Sequence, residues 1–225
     1  MPERKLGDPR ALAALHALHD QPVNFDLEQR ASFSTENGWR VDHYCQSLPA
    51  ESPGAPVPGG TWERARDLML RYEFADPKIV RALYTPDSRL EGRDMLLEVR
   101  FLGLRFRFGV RVGGVLDTTC ASDGRQVRVW GWNYRTLQGH LEMGQMDYEV
   151  WKWLDSGAVE FRIHVVSRAA RIPNPIVRLG FRLFGRREQV RFARRACERM
   201  ECLLAGEQIR SAGDELVVRS AQAGP

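Results

Sequence analysis

The sequence has no long apolar run: no stretch approaches the ~18 residues that a membrane-spanning helix needs. Its opening, Met1–Arg10, is charged and carries no apolar core, which argues against a signal peptide. Cysteine is sparse. Cys45, Cys120, Cys197 and Cys202 lie scattered without the spacing of a disulfide framework, so reduced thiols in a cytoplasm are expected. An excess of one charge is also missing. The 33 basic and 29 acidic residues leave +4, too mild by itself to indicate nucleic acid. There is no P-loop, Gly-x-Gly-x-x-Gly, Gly-x-Ser-x-Gly elbow or His-Glu-x-x-His. His140-x-Glu142 mimics half of a zinc-deaminase signature whose Pro-Cys-x-x-Cys half is missing. No spacing supports a metal site drawn from His43, His140, Asp147 and His164, and neither metal nor cofactor is expected.

The 225 residues, 43% hydrophobic, are enough for one good-sized domain. Asp8-Pro9 can cap a short Ala/Leu helix, with His16 and His19 favourably near its C-terminal end. Trp39, Val41 and His43 alternate as one strand would. Ser47–Thr61 carries four prolines and three glycines and reads as a linker or long loop. Thr61 is placed to cap a helix through Trp62, Ala65, Leu68, Met69 and Tyr72, and Asp76-Pro77 to open a second short one over Lys78–Tyr84.

Alternation then takes over. Met95–Phe101 and Leu104–Val112 read as half-buried antiparallel strands, with turn signals at Gly113-Gly114 and Asp123-Gly124. A third strand is predicted over Val127–Arg135 and a fourth after Gly144. The clearest strand sets Val159, Phe161, Ile163 and Val165 against Glu160, Arg162, His164 and Arg168. Pro173 and Pro175 then start a long helix whose apolar positions run to Leu204, with Gly185 a candidate kink or break. The predicted organisation is an N-terminal extension over 1–60, a domain over 61–205 and a polar tail over 206–225 with a stray strand at Glu215–Arg219. A one-sided apolar sheet must bury that face, and the long helix is its natural cover. The fold class expected is α+β: an antiparallel sheet wrapped on a C-terminal helix, a helix-grip, with a helical N-terminal extension.

Three groups of residues resemble a known family: Trp62-x-x-Ala65-x-x-Leu68-Met69, Tyr134-x-Thr136-Leu137-x-Gly139-His140-x-Glu142-x-Gly144, and Ser167-Arg168 with the late Arg187-x-Gln189. They are similar to the domain-of-unknown-function family numbered nineteen-ninety, over roughly residues 61–200. Ala169 stands where that family tends to have proline. The resemblance implies a START-like helix-grip fold associated with ligand binding, and no particular activity.

Among candidate chemistries the sharpest cluster is His140 and Glu142, with Asp147 beyond. In extended chain, residues two apart share a face with Cβ atoms roughly 7 Å apart, close enough for an acid–base pair. The competing reading is a glycine-framed turn whose polar side chains satisfy loop amides. Trp130, Trp132 and Tyr134 share a strand face, and Trp151 and Trp153 share one on the next strand. A hairpin between the strands would bring aromatics together as core or as a pocket wall. Asn133, Tyr148, His164 and Arg168 are the candidate polar anchors of such a pocket, with His140 and Glu142. Arg168 is equally placed to pair with Glu142 or Glu149. The second apolar face of Val127–Tyr134 could meet the N-terminal segment or a second copy of the chain.

Three functions follow. The first is binding of a small apolar or amphipathic molecule between sheet and helix, without catalysis. The second is a cyclase-, dehydratase- or hydrolase-type enzyme using His140 and Glu142. The third is an interaction protein whose Arg-rich helix meets anionic partners; nucleic acid and membrane surfaces rank behind a solvated helix face.

Overall fold

The computed structural model describes residues 9–86, 88–101 and 104–206. Helix α1 (Pro9–His16) precedes strand β1 (Arg40–Leu48), helix α2 (Thr61–Leu70), strands β2 (Val80–Leu83), β3 (Asp94–Phe101), β4 (Leu104–Ser122), β5 (Arg125–Thr136), β6 (Glu142–Trp153) and β7 (Val159–Ala169), and helix α3 (Pro175–Ala205). The strands form one seven-stranded sheet in the order β1-β7-β6-β5-β4-β3-β2, with every pairing antiparallel. The expected α+β helix-grip class is the fold observed.

Period-two alternation decides what each face holds. On the inner face, toward α2 and α3, Val159, Phe161, Ile163 and Val165 of β7 lie across from Lys152, Val150, Tyr148 and Met146 of β6. Val150, Tyr148 and Met146 in turn neighbour Trp130, Trp132 and Tyr134 of β5. With Phe74, Met69, Ala193 and Met200 from the helical side they form the main core. α1 covers part of the outer face, where Ala11, Leu15 and Leu18 pack on Leu83, Leu96 and Leu137. Gly109 lets Leu18 approach, and Arg111 donates to the Leu18 and His19 carbonyls that end this segment.

Four local expectations are corrected. Lys78–Tyr84 is not a helix. Asp76 ends its influence after one turn, accepting the Lys78 amide, and Val80–Leu83 becomes the edge strand β2. A short apolar run cannot be assigned by periodicity, and here Val80 and Ala82 face the core beside Val99 and Leu97. Gly113-Gly114 is not a turn either. It lies within the 19-residue β4, at a register shift between Val112 and Gly114, because a β-carbon at Gly113 would collide with Arg135 and Asn133. α2 starts at Thr61 after Gly60, and its free amide at Trp62 is taken by Glu51, not by Thr61. Gly185 does not break α3, which is continuous. Arg40–Leu48 is the strand expected from the alternation of Trp39, Val41 and His43, and it forms the sheet edge paired with β7. Asp123-Gly124 is the turn expected, and Glu215–Arg219 lies outside the described residues.

The Pro/Gly-rich linker is docked rather than loose. Lys152 is fully buried, and its Nζ donates to Glu51 Oε2 at 2.5 Å and to the Ala55 carbonyl at 2.9 Å. Glu51 also accepts the amides of Val57 and Trp62. Burial alone would raise this carboxyl's pKa, but the hydrogen bonds from Lys152 and those two amides bring it below the ordinary value.

Candidate functional site

The site grows from the turn between β5 and β6. Gly139 takes a left-handed backbone (φ 88°), and the His140 amide closes the turn on the Leu137 carbonyl. His140 Nδ1 then accepts the Glu142 amide at 2.9 Å, which leaves the ring proton on Nε2. The ring rests 4.8 Å from Phe108. Burial pushes its pKa down to about 4, against the help of the Glu142 amide, so the imidazole is neutral. Asn24 clamps the turn from outside: its Nδ2 donates to the Glu142 carbonyl and its Oδ1 accepts the Thr136 hydroxyl. Thr136 Oγ1 in turn accepts the Gly144 amide.

Glu142 is the first residue of β6 and turns inward. Its side chain is 15% exposed, one carboxylate oxygen has no hydrogen-bond partner, and the other faces Gln189 Nε2 at 3.5 Å. Arg40 approaches only to 3.9 Å. Burial therefore prevails and lifts the pKa to about 7, the charges of Arg40 and Arg186 pulling it down and Asp42 pushing it up. Beside it runs a finished polar chain. Arg186 forks onto both Asp42 oxygens, its Nη1 donates to Gln189 Oε1, and Gln189 Nε2 donates to Ser167 Oγ at 2.9 Å. That chain ties α3 to β1 and β7 and leaves Glu142 as the unsatisfied member.

Away from Glu142 the inner face turns aromatic. Tyr134, Tyr148, Tyr72 and Trp132 pack with ring centroids 5.1 to 6.4 Å apart. Tyr72 is the left-handed residue that ends α2 (φ 58°), a place where glycine is usual, and its ring is held in the core. Its hydroxyl and the Trp132 indole nitrogen are buried without partners, as is Glu142 Oε1. Tyr148 and Phe74 fill the centre between sheet and helices.

Beyond Glu142 the grip opens. Leu179, Leu183, Arg186, Val190, Ala193, Cys197, Met200 and Leu204 lie on one stripe of α3 at alternating steps of four and three residues. From Ala193 onward the stripe is buried, yet Leu179 and Leu183 are 59% and 63% exposed. Phe106 and Phe108, on the inner face of β4, are only half buried.

The predicted site residues divide by strand parity. Trp130, Trp132, Tyr134, Tyr148 and Glu142 share the inner face, with His140 at its edge in the turn. Asn133, His164 and Arg168 stand on the outer face, because each is one residue out of phase with the core positions. His164 pairs there with Asp147 at 3.3 Å and stacks on His43 at 4.5 Å. Arg168 is exposed across from Met143, while Glu149 takes the Trp151 indole. His140 and Glu142 do not hydrogen-bond to each other through their side chains. Trp151 and Trp153 cover Val129 and Val127 on the outer face and do not meet the inner tryptophans. Arg40, Asp42, Arg186, Phe106 and Phe108 escaped sequence reasoning. Gln189 and Ser167 carried a signal only as parts of the family pattern. The α3 arginines are partly engaged, Arg186 with Asp42, Arg191 with Glu188, Arg195 with Glu198 and Arg199 with the Glu73 carbonyl. No helix of the described residues is long and apolar enough to cross a membrane.

A seven-stranded antiparallel sheet closed on one C-terminal helix makes this a helix-grip protein. Residues 27–199 match the family described as a domain of unknown function, DUF1990, and the chain belongs to that family. No curated protein matches the sequence. Among solved structures, that of Ara h 8.0201 is similar at 9% identity and a TM-score of 0.42, covering 75% of this chain and 99% of that one. Ginseng major latex-like protein 151 from Panax ginseng is similar at 7% identity and a TM-score of 0.38, covering 73% and 97%.

Proposed function

We propose that the protein binds a small amphipathic molecule at the open end of the grip. Its apolar body lies against Leu179, Leu183 and the Phe106–Phe108 edge, and a hydroxyl or ammonium group donates to Glu142. The observation that carries this reading is the Glu142 carboxyl, buried with one oxygen unpartnered beside an exposed apolar stripe. A buried acceptor without a donor costs about 1–3 kcal/mol, which a ligand's donor recovers on binding. Octanol and octylamine are suitable probes, titrated calorimetrically. Leu179→Gln and Leu183→Gln change exposed positions and leave stability within about 0.5 kcal/mol, yet each is expected to weaken octylamine binding about tenfold by removing buried apolar area. Unchanged affinity in both variants contradicts the proposal.

A second reading is favoured by the same carboxyl's pKa of about 7, the poise of a general acid–base. Glu142 would act without His140, whose Nδ1 is committed to a backbone amide. Turnover that Glu142→Gln abolishes while ligand affinity persists would favour this reading.

A further inference from the structure

We infer that the protein has a second site, for a small carboxylate with an apolar body, at the far end of the same sheet. A cleft of about 450 Å³ opens there between α2, the segment that follows β2, and the inner face of β4 and β5. It lies well away from Glu142. Val150, the partner of Trp130, is eight residues further along β6, roughly 26 Å of strand.

The lining has the chemistry of an amphipathic anion site. Leu70, Leu90, Val115 and the Trp130 indole make an apolar body, and Arg66, Arg89 and Glu91 stand at its rim. Val115 is 41% exposed although it lies across from the buried Trp132, so the apolar surface of the cleft is open to a ligand. The two guanidinium groups differ. Arg89 is paired with Glu91 at 2.8 Å. Arg66 meets Asp67 only through Nη2 at 3.4 Å, and its Nε is buried with no hydrogen-bond partner. A carboxylate that accepts from Nε and an Nη together makes the bidentate pair that a guanidinium fork is shaped for. The volume falls in the ordinary range for small-molecule pockets and suits a short-chain or single-ring acid.

The two ends therefore differ in sign. Glu142 offers an acceptor and Arg66 a donor fork, so octanoate is the probe for the second site, with octanol as its uncharged counterpart. By calorimetry on the whole chain, octanoate is expected to bind more tightly than octanol in this cleft and to weaken with added salt. Arg66→Met is expected to lower octanoate affinity at least tenfold. Arg66→Lys keeps the charge but not the fork, and its loss falls between wild type and Arg66→Met. Val115→Trp fills the cleft from an exposed position and is expected to abolish octanoate binding with the circular dichroism spectrum unchanged. Arg178→Met removes an exposed arginine from α3 and leaves octanoate affinity within twofold. No octanoate binding to wild type, equal affinity in Arg66→Met and Val115→Trp, or an equal loss in Arg178→Met overturns the inference.

Discussion

Replacing Glu142 by glutamine gives a stability change whose sign depends on pH. The carboxyl's pKa rises from 4.5 to about 7 in the folded chain, so folding favours its neutral form. Its contribution is fully present below pH 4.5 and is lost as pH rises through 7. At 1.36 kcal/mol per pH unit the loss is ~3 kcal/mol. His140 works in the opposite direction. Its pKa falls from 6.5 to about 4, so its contribution is present above pH 6.5 and is lost as pH falls through 4. Between about pH 4.5 and 6.5 the two slopes cancel, and wild-type stability is expected to be nearly level there. Glu142→Gln keeps the shape of the carboxyl group and removes one slope. It is expected to be more stable than wild type by ~3 kcal/mol at pH 8 and close to it at pH 4.5, and to lose stability on acidification from pH 6.5. Urea unfolding at half-unit pH intervals, followed by tryptophan fluorescence, measures the difference between the two proteins. A difference that stays constant from pH 4.5 to 8 refutes the claim that burial raises the Glu142 pKa.

Other substitutions test the frame around the site. At Gly144 (φ 149°) a β-carbon would lie 2.0 Å from the Val166 carbonyl oxygen, so Gly144→Ala is expected to cost at least ~3 kcal/mol. In a domain of this size that lowers the melting temperature by roughly 6–12 °C in calorimetry. Lys152→Met leaves the Glu51 charge buried without its partner and is expected to cost about 3–5 kcal/mol. Adding Glu51→Gln to Lys152→Met is expected to recover part of that loss, seen as a double-mutant coupling in urea titrations. Arg186→Met cuts the chain Asp42–Arg186–Gln189–Ser167, and hydrogen exchange is expected to quicken in the first half of α3 while Ala193–Leu204 stays protected.

The sheet was legible wherever one face was buried and the other solvated, as in Val159–Val165, where alternation leaves a single choice of register. It failed where both faces are covered. Val80–Leu83 sits between Val99 on one side and the α1 cluster on the other, so its run of apolar residues carries no period to read. Gly113 misled for another reason: a bulge and a turn call for the same residue, and only the position of Arg135 distinguishes them. Glu142 was legible as chemistry, because an acid two residues from a histidine in a glycine-framed stretch stands out. Its setting was not, since Arg40, Asp42 and Gln189 reach it from the two ends of the chain. Asn133, His164 and Arg168 alternate out of phase with the core positions, so the parity that puts them on the outer face was already legible in the sequence, and only their residue type suggested a pocket.

The most direct test of the binding claim is native mass spectrometry of the gently purified protein, with organic extraction of whatever it carries. The account predicts a stoichiometric organic adduct with a hydroxyl or amino group on an apolar body, retained by wild type and depleted in Leu179→Gln and Leu183→Gln. A wild-type mass equal to the bare chain, persisting after incubation with octylamine and octanol, would contradict it.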